Sequence, residues 1–116
     1  MKPNRSKVLD DLLNLKRPLL EIQKDLAQLE WDSNDKICVF DEKKLANILN
    51  EYINNNISEQ NLELWANMIE CREDIQIDKR QEKLIKHIIF TLANPYLEGE
   101  ISKLSIEDFL KQLQEK

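Results

Sequence analysis

Apolar residues recur at helical spacing along most of this chain. Leu45, Ile48, Leu49, Tyr52 and Ile53 fall at i, i+3, i+4, i+7 and i+8, which is one face of a 3.6-residue helix. The same period recurs in Leu62, Trp65, Ala66 and Ile69, widened by Leu64 and Met68. It returns in Leu84, Ile85, Ile88, Ile89 and Leu92, and again in Ile106, Phe109, Leu110 and Leu113. A longer seam of Val8, Leu12, Leu15, Leu19, Ile22, Leu26 and Leu29 advances in alternating steps of four and three. Pro18 lies inside it. Proline removes a helical hydrogen bond, yet the seam keeps its phase, so a kinked helix or two nearly coaxial helices are expected. Residues 36–40 break the pattern. Their β-branched and aromatic character reads as a strand or an extended loop, and a lone strand has no partner. One glycine and three prolines are too few for an all-β sandwich. The chain is therefore expected to be all-α: one compact bundle of five to six amphipathic helices over residues 1–116.

Capping residues mark the ends. Asp41 with Glu42, and Ser58, read as N-termini. Asn54, Asn55 and Asn56 end the third segment. Asp78 with Gln81 and Ser105 with Asp108 have capping-box spacing. Pro95 stops the helix before it near Asn94, and residues 96–102 form a turn carrying Gly99.

Charge and motif content exclude much chemistry. The chain has 116 residues, 17 Lys and Arg against 22 Asp and Glu, and a net charge of −5. That balance disfavours nucleic-acid binding and anionic membranes. Nothing approaches a signal peptide or the ~20 apolar residues of a membrane span, so a cytoplasmic protein is expected. Cys38 and Cys71 are isolated and read as reduced thiols. His87 is the only histidine, and with no cysteine cluster there is no metal-ligand set. The adjacent carboxylates Glu73 and Asp74, or Glu107 and Asp108, read as solvated helix faces rather than an opposed catalytic pair. Residues 32–35 lack the glycine and distal Glu of a calcium loop. No cofactor, no metal and no enzymatic activity are expected.

What remains is surface recognition. Acidic residues gather near helix ends: Glu30, Asp32 and Asp35; Glu70, Glu73, Asp74 and Asp78, interrupted by Arg72; Glu98 and Glu100. Acidic patches steer basic partners. Trp31 adjoins the first group, and interface hot spots favour Trp. Trp31, Asp32, Asp35, Glu70, Glu73, Asp74, Asp78 and Glu98 are the candidate contact residues.

The run Ser58-Glu59-Gln60-Asn61-Leu62, then Leu64-Trp65-Ala66-Asn67-Met68-Ile69-Glu70, Arg72-Glu73-Asp74-Ile75 and Leu92-Ala93-Asn94-Pro95 with Gly99 resembles small acidic helical immunity proteins of bacterial contact-dependent growth-inhibition and polymorphic-toxin systems. The resemblance covers the middle third of the chain and carries structural residues, with no catalytic signature. It implies a protein that binds and blocks a cognate toxin domain, commonly basic and of nuclease type, including tRNA-cleaving ones. The expected partner is that toxin, with no nucleic acid and no membrane, and the expected state is a monomer or weak dimer. The alternative is a helical adaptor or regulatory domain that binds a host protein or self-associates through the 8–29 seam.

Overall fold

Pro18 divides the first seam into two helices. The structure, a computed structural model, describes residues 5–28, 38–70, 72 and 75–114, without the side chains of Cys38 and Glu98. Helix α1 (Arg5–Asn14) ends where Leu15 adopts a left-handed φ of 47°. The Leu15 amide donates to the Leu12 carbonyl (3.3 Å) and the Lys16 amide to the Asp11 carbonyl (3.0 Å). This is a Schellman closure with leucine at the position glycine usually holds. The Pro18 carbonyl then accepts from the amides of Glu21 and Ile22 and opens α2 (Leu19–Leu26). Proline starts a helix well because its missing N–H has no partner there anyway.

Arg17 fixes the relation of the two helices. Its Nε lies 2.8 Å from Asp11 Oδ2 and its Nη2 2.8 Å from Asp25 Oδ2. In coaxial helices, positions 11 and 25 would stand roughly 20 Å apart along the axis, beyond the span of one guanidinium. The helices instead fold back on each other, which corrects both the kinked and the coaxial expectation. The seam stays inside: Val8, Leu12, Leu19, Ile22 and Leu26 are buried and Leu15 packs against them.

The strand candidate does have a partner. β1 (Cys38–Phe40) pairs in parallel with β2 (Ile75–Ile77), in the register Cys38 to Ile75, Val39 to Gln76 and Phe40 to Ile77. Parallel strands need a long crossover, and here α3 and α4 supply it. The Phe40 carbonyl accepts from the Asp78 amide, so the Val39 carbonyl, one residue back, faces away from β2. Lys44 Nζ covers it. On β2, the Gln76 side chain donates to the Ile77 carbonyl. Each strand thus has an outer carbonyl covered by its own chain, which blunts edge pairing with another strand.

Helix α3 (Glu42–Ile53) starts as expected, with the Asp41 carboxylate accepting from the Lys44 amide at 2.9 Å. It ends in a second Schellman closure around Asn55, φ 65°. Asparagine tolerates that conformation better than most residues. In α4 (Glu59–Glu70), Ser58 Oγ accepts from the Asn61 amide, and Leu62, Trp65, Ala66 and Ile69 form the buried face. Asp78 caps a short 3₁₀ turn, Lys79–Gln81, and the helix proper, α5 (Glu82–Ala93), begins only afterwards. Gln81 does not complete a capping box. Its amide reaches across to Glu42 instead (3.0 Å). One turn, α6 (Pro95–Glu98), follows. In α7 (Lys103–Gln114) the box lies three residues before the expected one. Ser102 Oγ accepts from the Ser105 amide, and Ser105 Oγ from the Ser102 amide. Asp108 is bound to Gln112 instead.

The fold is broadly all-α, and the described residues form six helices of eight residues or more, the single turn α6, the 3₁₀ turn and a two-stranded ribbon. α4 packs along α5, α3 along α7, and α1 against α2, α3 and β1. The buried side chains form one continuous cluster. At its centre Trp65 meets Phe40 edge-on, 5.8 Å between ring centres, and its indole Nε1 donates to the Leu12 carbonyl at 2.7 Å. Trp65 therefore serves both as packing and as a C-terminal cap of α1. Among the described residues no helix is long and apolar enough to cross a membrane.

Candidate functional site

Three of the acidic candidates named from sequence, Glu70, Asp78 and Glu98, lie among the described residues. Trp31, Asp32, Asp35, Glu73 and Asp74 lie outside the described residues. Asp78 is engaged in capping: its carboxylate accepts from the Arg80 amide (3.1 Å) and meets the Arg80 guanidinium at 3.5 Å. Glu70 is exposed at the end of α4, beside a cleft of mixed charge that also holds Arg72, Lys86 and the edge of Phe90. Glu98 closes α6.

A consistently acidic site does form at the other end of α4. Helix α4 presents Glu59 and Glu63 one turn apart, at i and i+4. Facing them, the Pro95 break turns the chain through α6 and presents Tyr96 and Glu100. The cleft between them is about 260 Å³ and is lined by Glu59, Gln60, Glu63, Pro95, Tyr96, Glu100 and Ile101. No lining residue is basic. Tyr96 is 98% exposed and Leu97 76%. Nothing internal explains leaving a tyrosine and a leucine in water on adjacent positions, whereas protein interfaces use Tyr as an anchor.

Local structure accounts for Glu59 and leaves the rest. Glu59 lies in the first turn of α4, where a carboxylate interacts well with the helix dipole. Tyr52 Oη donates to it at 3.3 Å. That phenol is nearly buried at the end of α3, and burial, with the Glu59 charge beside it, pushes its pKa above the ordinary 10.0. Glu63 sits a turn further in and Glu100 lies outside any helix, so the dipole does not explain them. The cleft is smaller than the ~300 Å³ at which ligand pockets begin. Its size and charge suit one inserted basic side chain better than a small molecule.

A second cleft carries residue types associated with hydrolysis, but its geometry points elsewhere. His87, Ser105 and Asp108 line a hollow of about 210 Å³. Ser105 Oγ donates to the Ser102 carbonyl (2.9 Å), Asp108 accepts from Gln112 (2.8 Å), and the exposed His87 ring stands edge-on to Phe109. These bonds serve helix capping and packing. No group of three or more His, Cys, Asp or Glu side chains among the described residues is placed to hold a metal ion.

Sequence reasoning missed Glu59, Glu63 and Tyr96. Their signal was present: Tyr96 and Leu97 follow a helix-stopping proline and belong to no apolar stripe. Comparison with protein-family models, with curated proteins and with solved structures finds no match for this chain.

Proposed function

We propose that this chain is a non-catalytic protein-binding domain, and that it acts as an immunity protein which binds and neutralises a basic, nuclease-type toxin domain. The observation that carries the reading is the cleft between α4 and α6, in which every charged lining residue is acidic and which is flanked by an almost wholly exposed tyrosine. Glu63 and Glu100 attract a cationic side chain. Tyr96 and Leu97 supply the apolar contact that excludes water around it. The net charge of −5 adds long-range steering of a basic partner.

The resemblance over residues 58–95 bears on the scaffold. Leu62, Trp65, Ala66, Ile69, Leu92 and Ala93 from that stretch are all buried, so it supports a shared framework, and the choice of toxin rests with the exposed residues. Self-association through the 8–29 seam has less support, because its described leucines and isoleucine point into the core.

Growth rescue tests the proposal. The toxin of such a pair is encoded beside its immunity gene, so the C-terminal domain of the adjacent large open reading frame is expressed alone and with this chain. The expected result is growth arrest alone and restored growth with the chain. Absence of arrest, or arrest that the chain does not relieve, overturns the reading.

A further inference from the structure

The paired helices α4 and α5 carry opposite charge at their two ends. Glu59 and Glu63 at the start of α4, with Glu100 beyond α6, make the acidic cleft, which no cation lines. At the other end, Lys79, Arg80, Lys83 and Lys86 line a hollow at the start of α5, with Glu82 its one carboxylate. Lys86 is bound to Glu82 at 2.8 Å, and Arg80 meets Asp78 only at 3.5 Å. Lys79 and Lys83 form no ion pair among the described residues. Helix stability does not account for them, because cations at a helix N-terminus oppose its dipole. A basic partner does not account for them either.

Lys86 also borders the cleft of about 420 Å³ walled by Ile69, Ile75, Ile77, Ile89 and the exposed Phe90. Glu70 and Arg72 line it too, one charge of each sign. Lys83, Lys86 and Phe90 stand at i, i+3 and i+7 of α5, so the cations and the ring share one helix face. An apolar cleft with a basic rim fits an apolar knob flanked by carboxylates. The chain itself presents that knob at its acidic end: Tyr96 and Leu97, both exposed, beside Glu63 and Glu100. Both clefts open on the same side of α4. Glu59, Glu63 and Glu70 stand at i, i+4 and i+11, one helix face; the first two line the acidic cleft and the third lines the apolar one. A second copy turned end for end therefore brings the acidic end of each chain to the basic end of the other, which is a closed two-fold contact.

We propose that two copies of this chain associate through the α4–α5 face, with Tyr96 and Leu97 of each seated on the isoleucine-lined cleft beside Phe90 of the other, and Glu63 and Glu100 facing Lys79 and Lys83. Such a dimer covers the acidic cleft, so on the toxin reading above dimer and toxin complex exclude each other. Sedimentation equilibrium of the whole protein, from micromolar to millimolar concentration, tests the pairing with no toxin present, so its failure leaves the toxin reading standing. The mass should rise with concentration from one chain toward two and no further. Glu63→Lys with Glu100→Lys should raise the dissociation constant at least tenfold, although each reversal adds two charges and the net charge moves from −5 to −1, which lowers general repulsion. Lys79→Glu with Lys83→Glu should do the same, and carboxylates there suit the helix N-terminus, so the circular dichroism spectrum should be kept. Leu97→Asn, at an exposed position, should weaken association at least tenfold with the fold untouched. Mixing the two charge-reversed variants should restore association, because each reversed surface then meets its reversed counterpart. A wild type that stays monomeric, species larger than two chains, association indifferent to these substitutions, or a mixture no tighter than its components overturns the proposal.

Discussion

Replacing Trp65 with phenylalanine separates its two roles. The side chain is fully buried, meets Phe40 edge-on and donates to the Leu12 carbonyl at 2.7 Å. Phenylalanine keeps one ring and loses both the donor and the second ring. The hydrogen bond contributes about 1 kcal/mol net. The Leu12 carbonyl still accepts from the Leu15 amide, so it is not left orphaned and no further desolvation penalty applies. The lost ring volume adds on the order of 1–2 kcal/mol where the surroundings cannot collapse. The sum is about 2–3 kcal/mol, a drop of roughly 8–12 °C in Tm for a chain of this size. Trp65→Ala should cost about 3–5 kcal/mol, a large part of the ~5–15 kcal/mol available. Thermal and urea unfolding followed by circular dichroism at 222 nm measures both. A Tm within about 3 °C of wild type for Trp65→Phe would refute the claim that Trp65 caps α1.

Further expectations rest on other parts of the fold. Asn55, exposed with φ 65°, should tolerate glycine without loss, whereas Asn55→Ala should cost about 1 kcal/mol; urea midpoints in the opposite order contradict the strain argument. Arg17→Met leaves Asp11, only 5% exposed, without its cation and should lower the urea midpoint, with Asp11→Asn in the same chain recovering part of the loss; an unchanged midpoint would show the pair to be dispensable. Tyr52 has a pKa raised by burial, so its contribution to stability is full below its ordinary 10.0 and is lost as pH climbs through the higher folded value. The Tm of wild type should therefore fall more between pH 9 and 11 (values set on the order of one unit either side of the ordinary tyrosine range) than that of Tyr52→Phe, and parallel curves would deny it.

Most of the helical framework was legible because it is written locally. The buried faces of α3, α4 and α5 are largely the residues their periodicity names, with Ile53 and Leu84 only half-buried and Ala93 added, and Asp41 and Ser58 cap where they should. What the sequence could not reveal is set over distance. Ile75-Gln76-Ile77 becomes a strand only because Phe40 lies opposite it, across a crossover of two helices. The Trp65 bond to Leu12 spans 53 residues. Gln81 has capping-box spacing, yet a cross-chain bond to Glu42 holds it elsewhere. A pattern search favours Ser105, which has Asp108 three residues on, and only the path of the chain selects Ser102. Pro18 was ambiguous because a proline that kinks a helix and one that opens a new helix leave the same apolar phase. The site followed the same rule. Acidic runs were visible, but the opposition of Glu63 to Tyr96 and Glu100 exists only once α4 and α5 pack together.

The central claim, that the cleft between α4 and α6 docks a basic toxin domain, is tested most directly by its association kinetics. The toxin domain from the adjacent gene is bound to wild type and to a Glu63→Lys, Glu100→Lys variant over a range of ionic strength. Screening over a Debye length of about 10 Å at 0.1 M acts mainly on encounter. For wild type, added salt should slow association more than it speeds dissociation. The variant should bind at least tenfold more weakly, about 1.4 kcal/mol, with its helical spectrum intact and its salt dependence flattened. Equal affinity and equal salt dependence for the two proteins would contradict the account.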